Sequence, residues 1–188
     1  MTVIQGLLMV PLYLSFIPIN IYGAWLASGN ILAWISAIDP GLTIVLQQQT
    51  STFYGAGKLK KVGKLICSGF ILSCLILLIA LSLGLISSYF IINLINLSLE
   101  ADNLIILNAF KYAFFGTSLM LFSYSFQAIN YGLQASFSIG LLNNMTVFLS
   151  ILLTILLLYS GYGLMSIAYS LVFNGLLLSS GNIFYTLY

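Results

Sequence analysis

The chain contains no histidine and no arginine, and its 188 residues carry only three acids and five lysines. Only 4% of the residues are charged, which excludes a water-soluble surface, since such a surface is normally about a quarter charged. Without histidine, the usual soft or borderline metal ligands reduce to Cys67, Cys74 and the scattered acids, so no transition-metal site is expected. Enzymatic constellations are missing too: there are no paired carboxylates on one helix face, no Ser/His or Cys/His pair and no phosphate-binding glycine loop. Nothing points to a nucleic acid partner. Cys67 and Cys74 fall seven residues apart within one apolar segment, near one helix face but too distant for a disulfide. They read as packing residues.

What is present is apolar length. Hydrophobic residues make up 61% of the chain and the mean hydropathy is +1.14. Crossing a bilayer takes about 20 apolar residues per helix, and in lipid the backbone must satisfy its own hydrogen bonds. The runs do not alternate polar and apolar, so helices are expected rather than a barrel. The fold class is therefore all-α integral membrane, with about six transmembrane helices in a single unit over residues 1–188. The spans run from about Val3 to Asn20, Tyr22 to Gln49, Val62 to Leu94, Leu104 to Tyr131, Ile139 to Tyr159 and Leu164 to Tyr188. Pro11 and Pro18 lie inside or end the first. Residues 97–103, with Glu100 and Asp102, read as a solvated polar connection, and Ser160 to Gly163 as a tight turn.

Four of the five lysines, Lys58, Lys60, Lys61 and Lys64, occupy one short segment. Lysine-rich short loops stay in the cytoplasm, so this segment orients the chain and contacts anionic lipid, with both termini expected on the cytoplasmic side. The opening residues enter the first apolar run without a Lys or Arg, so further residues upstream are expected. Tyr22, Trp25, Tyr54, Tyr131 and Tyr159 fall near span ends, where interfacial aromatics sit.

Asp39 is the sharpest functional candidate. It falls near the middle of the second span, where a carboxylate costs roughly 2.5 to 3.5 kcal/mol. Pro40 follows it and cannot donate to the Ser36 carbonyl, so a kink should leave that oxygen beside the acid. Carboxylate and carbonyl together suit a coupling proton or sodium ion; a capping role is the bland alternative. Lys111 lies two turns into the fourth span, with Ser118 and Ser125 following at seven-residue steps as a polar stripe. Such a stripe lines a cavity that takes an anionic headgroup, or else Lys111 snorkels to the interface. Asn143, Ser150 and Thr154 share a face of the fifth span, and Ser166, Ser170 and Asn174 a face of the sixth. Helix packing and a cavity lining explain them about equally well. The polar run Gln47 to Thr52 reads as an interfacial cap or an inner mouth.

Tyr22, Gly23 and Trp25, followed by Asp39, Gly41 and Leu42, form a YG.W and D.GL pattern. With Tyr54 and Gly55 before the lysines, and Gly161 to Leu164 before the sixth span, the chain resembles bacterial polysaccharide flippases of the multidrug/oligosaccharidyl-lipid/polysaccharide exporter superfamily. The resemblance is colinear over essentially the whole chain. It implies one six-helix lobe, the N-terminal half of a two-lobed exporter in the bacterial cytoplasmic membrane, whose partner is a second lobe or a second copy. It also implies that the substrate is a lipid-linked oligosaccharide for surface polysaccharide, moved by ion-coupled alternating access without an organic cofactor. A cation-coupled drug exporter, a membrane enzyme of polysaccharide assembly and a noncatalytic scaffold are the competing expectations.

Overall fold

A computed structural model describes residues 2–36, 41–95 and 100–187, and their side chains over 9–27, 43–90 and 102–187. Every described element is helical: α1 (Thr2–Phe16), α2 (Ile19–Ser36), α3 (Leu42–Gly55), α4 (Leu59–Ile95), α5 (Glu100–Gly132), α6 (Ser136–Tyr159) and α7 (Met165–Leu187). Four of them, α4 to α7, are long and apolar enough to cross a membrane, the pattern of a multi-pass membrane protein. Apolar side chains such as Ile71, Leu75, Leu78 and Ile79 stand exposed along α4, as lipid contact requires.

The helix stops follow from local chemistry. After α3, the amide of Lys58 donates to the Phe53 carbonyl and that of Gly57 to Tyr54, with Gly57 at φ 68°. After α6, Tyr162 donates to Leu157 and Gly161 to Leu158, with Gly161 at φ 83°. Both are glycine C-caps that satisfy the last carbonyls of the helix and turn the chain sharply. The same bonding closes α5, where Ala135 donates to Asn130 and Gln134 to Tyr131. There the left-handed residue is Gln134, at φ 66°, without the freedom glycine has.

Three boundaries depart from the sequence expectation. Pro18 separates α1 from α2, so the first span ends at Phe16 and α2 starts at Ile19. The second span is two helices, α2 and α3, and Asp39 with Pro40 falls between them, outside the described residues. Glu100 and Asp102 belong to the first turn of α5 rather than to a connection. The Asp102 carboxylate sits near the positive end of the helix dipole and accepts from Asn20 Nδ2 at 3.3 Å.

The centre of the molecule is α5. Half of its most apolar window is buried, 50% against 22% in α4. Pairings along its length fix directions: Asn20 meets Asp102 near one end and Thr50 abuts Gly132 at the other, so α2 and α3 run parallel to α5. Gly84 faces Phe114 and Gly69 faces Ile129, so α4 runs antiparallel. α7 lies parallel to α5 and antiparallel to α6, which meets it through Leu142 and Gly181. The lysine segment, the end of α5, the start of α6 and the end of α7 thus lie at one end of the bundle. Asp102 and the Ser160–Gly163 turn lie at the other. Tyr22 and Trp25 belong to the buried core with Ala109, Phe110 and Ala113 instead of anchoring at an interface, because α2 lays this stretch directly on α5. Tyr54 and Tyr159 are exposed.

Candidate functional site

Two groups of polar side chains inside this bundle differ in what they face. The first group locks α5 to α7. A Cβ on Gly175 would lie 2.5 Å from the Gly116 carbonyl oxygen, and one on Gly116 2.5 Å from the backbone of Leu171. The two backbones therefore approach as only glycine allows. Further along, Ser179 Oγ donates across to the Leu119 carbonyl at 2.8 Å. At the lysine end, Asn130 Nδ2 donates to the Asn182 carbonyl at 3.0 Å while its Oδ1 accepts from Thr186 at 3.0 Å. Asn130 and Asn182 are completely buried.

The second group faces open space. Ser150 and Thr154 of α6, Ser170 and Asn174 of α7, Met120 of α5 and Tyr13 of α1 line a cavity of about 280 Å³. Each of the three hydroxyls donates its hydrogen to its own helix: Ser150 to Thr146 at 2.7 Å, Thr154 to Ser150 at 2.8 Å and Ser170 to Ile167 at 2.8 Å. Their hydrogens are engaged, so the hydroxyls meet a cavity occupant only through lone pairs. Asn174 Oδ1 is buried with no hydrogen-bond partner among the described residues. A buried carbonyl left unbonded costs about 1–3 kcal/mol, and this oxygen is covered, so Asn174 meets the cavity through the rest of its side chain. The acceptors the cavity offers are the lone pairs of the three hydroxyls.

A second cavity, about 320 Å³, lies toward the lysine end between α3 and α5, lined by Thr43, Gln47, Tyr124, Gln127, Ala128 and Tyr131. Here the Tyr131 hydroxyl receives Gln127 Nε2 at 3.4 Å and Asn143 Nδ2 of α6 at 3.5 Å, both long. Two incoming amides leave the phenol hydrogen to donate outward.

The two cavities share one stripe of α5. Met120, Tyr124, Gln127 and Tyr131 follow i, i+4, i+7, i+11 spacing, which keeps them on one helix face. On the opposing α6, Asn143, Val147, Ser150 and Thr154 repeat the same spacing in the reverse direction. Met120 shares the first cavity with Ser150 and Thr154, and Tyr131 meets Asn143, so the two stripes approach one another at two levels, while the second cavity itself is walled by α3 and α5. Tyr13 of α1 completes the lining of the first cavity. Among the described residues, none lining either cavity is charged.

Of the residues singled out by sequence, Asn174 lines the first cavity and Asn143 reaches Tyr131 at the second. Lys111, Ser118 and Ser125 share a face of α5, but that face turns toward α4. Ser118 is fully buried and donates to the Phe114 carbonyl at 2.9 Å, Ser125 is buried, and Lys111 opens onto a separate apolar groove. Asp39 lies outside the described residues, as does the side chain of Ser36. Lys58, Lys60, Lys61 and Lys64 are exposed, and Lys61 Nζ lies 5.1 Å from the centre of the Phe53 ring. Tyr13, Gln127 and Tyr131 were not legible as site residues. The signal for the last two was the four-residue and three-residue spacing with Met120 and Tyr124, which a periodicity count on α5 contains.

Among the described residues no cluster of His, Cys, Asp and Glu is suited to a metal ion. No protein-family model, no curated protein and no solved structure matches the chain, so the resemblance to polysaccharide flippases rests on its quoted sequence motifs alone.

Proposed function

We propose that this chain is one six-crossing lobe of a membrane transporter that flips lipid-linked oligosaccharide across the bacterial cytoplasmic membrane for surface polysaccharide. In this reading α1 is the first crossing, α2 with α3 the second, and α4 to α7 the remaining four, with both termini cytoplasmic. The single observation that carries it is the pair of polar cavities strung along one face of α5, with no charged side chain among their described lining residues, which this reading joins into one cleft beside α6 from the lysine end of the bundle toward the acidic end. Amide, phenol and hydroxyl groups spaced along such a path suit a hydroxyl-rich headgroup, which can exchange one hydrogen bond for the next without shedding a charge. The cleft faces the second lobe or a second copy, and rocking of the two halves would expose it to either side in turn. The reaction is transport, with no bond made or broken.

Asp39 and the Ser36 carbonyl remain the coupling pair in this reading, binding a proton or sodium ion at the break between α2 and α3. Asp39→Asn in the complete transporter is expected to abolish the ion dependence of export. A cation-coupled drug exporter fits less well, because among the described residues no carboxylate lines either cavity to attract a cationic drug. The direct test is Asn174→Leu in the complete transporter, with lipid-linked oligosaccharide counted on the outer leaflet. The proposal expects export to fall at least tenfold, the equivalent of about 1.4 kcal/mol, at unchanged protein abundance. Export at the wild-type rate would remove the cleft from the transport path.

A further inference from the structure

Lys111 opens onto a groove of about 280 Å³ between α4 and α5, whose other walls are Leu81, Gly84, Leu85, Phe114 and Phe115. The groove is formed by close packing, for Gly84 sits directly against the ring of Phe114, where a Cβ would collide. Lys111 is exposed and Leu85 is 65% exposed at the outer lip, so the groove opens sideways, away from the cleft. Among the described side chains of its own helix the acid is Asp102, nine residues earlier and about 13.5 Å along the axis, too far to neutralise Lys111. An ammonium inside lipid costs roughly 3 kcal/mol unless it reaches water or an anion.

A single compact cation at the mouth of an otherwise apolar trough has the shape and charge of a receptor for a phosphate carrying an acyl chain. We infer that this groove binds an anionic phospholipid of the surrounding membrane, its phosphate on Lys111 and part of one chain against Leu81, Leu85 and Phe115. The site lies on the opposite side of α5 from the polar cleft and does not depend on the transport reading. It changes the role expected of Lys111, from a headgroup contact within the cavity to a lipid contact on the outer wall of the bundle. Through Phe114 the bound lipid also bears on Gly84, the point where α4 rests on α5.

Native mass spectrometry of the full chain, released from micelles doped with equal phosphatidylglycerol and phosphatidylcholine, tests this. The wild type is expected to retain phosphatidylglycerol selectively. Lys111→Ala should lower the retained fraction about tenfold, the loss of one charge-assisted contact, and Lys111→Arg should keep it. Leu85→Trp, which fills the trough and leaves the charge in place, should lower it as well. Undiminished phosphatidylglycerol on Lys111→Ala would overturn the inference. So would displacement of the lipid by millimolar inorganic phosphate, which would make this a free-anion site, or a Leu85→Trp variant that binds as the wild type does.

Discussion

The α5–α7 seam and the α5–α6 cleft both draw on serine, threonine and asparagine, and they use them differently. In the seam, Asn130, Thr186 and Ser179 donate across to the neighbouring helix, Thr186 and Asn182 also donate back to their own, and Gly116 and Gly175 bring the backbones together. In the cleft, Ser150, Thr154 and Ser170 bond back to their own helix, and Asn174 leaves an oxygen without a partner. In the seam, bonds across the interface hold the helices together, and in the cleft the locally satisfied hydroxyls keep a lone pair toward the cavity. Local bonding does not by itself mark a site, since Ser118 also bonds back to its own helix and is fully buried.

The difference predicts a graded series of stability effects, measurable as unfolding free energy in detergent. Gly175→Ala should be the most damaging, because its new methyl meets the Gly116 carbonyl at 2.5 Å. Backbone cannot yield as a side chain does, so the loss should approach about 3 kcal/mol, more than the ~1 kcal/mol alanine gains in helix propensity. Asn130→Leu removes bonds to Asn182 and Thr186 and should cost about 1 kcal/mol, the usual scale for interhelical polar contacts in membranes. Tyr131→Phe loses only contacts of 3.4 and 3.5 Å and should cost a few tenths of a kcal/mol, on the order of the weakest such contacts. Asn174→Leu completes the series at zero or slightly stabilising, because it deletes a buried carbonyl that has no partner. Equal losses for Asn130→Leu and Asn174→Leu would erase the distinction between seam and cleft.

Much of the architecture was legible because apolar length and turn chemistry act locally. Helices α4 to α7 follow the runs Val62 to Leu94, Leu104 to Tyr131, Ile139 to Tyr159 and Leu164 to Tyr188 closely, and the Ser160–Gly163 turn is where glycines permit it. Less legible was which face of a helix meets which neighbour. On α5 the stripe through Lys111, Ser118 and Ser125 and the stripe through Met120, Gln127 and Tyr131 are equally regular. Only packing decides that the first turns to α4 and the second to the cleft. Tyr22 and Trp25 teach the same lesson. Their composition suits an interface, but α2 lies on α5 at that level and buries them. The pairing of Ser150 and Thr154 with Ser170 and Asn174 was half visible, since each set shares a face, whereas the third wall, Tyr13, comes from more than a hundred residues away.

The central claim is that the cleft is a water-filled polar path while the rest of the surface of α6 meets lipid. Cysteine accessibility tests it most directly, in a background where the exposed Cys67 and the half-buried Cys74 are replaced. Single variants Gln127→Cys, Asn143→Cys and Ser150→Cys in the cleft would be compared with Leu149→Cys and Leu156→Cys on the outer face, using a charged, membrane-impermeant thiol reagent on vesicles opened to both sides. Thiolate forms only where water reaches, so the three cleft positions should label. The outer pair should stay protected, although Leu156 is 64% exposed in the bare protein. Labelling of the outer pair with protection of the cleft would contradict the account.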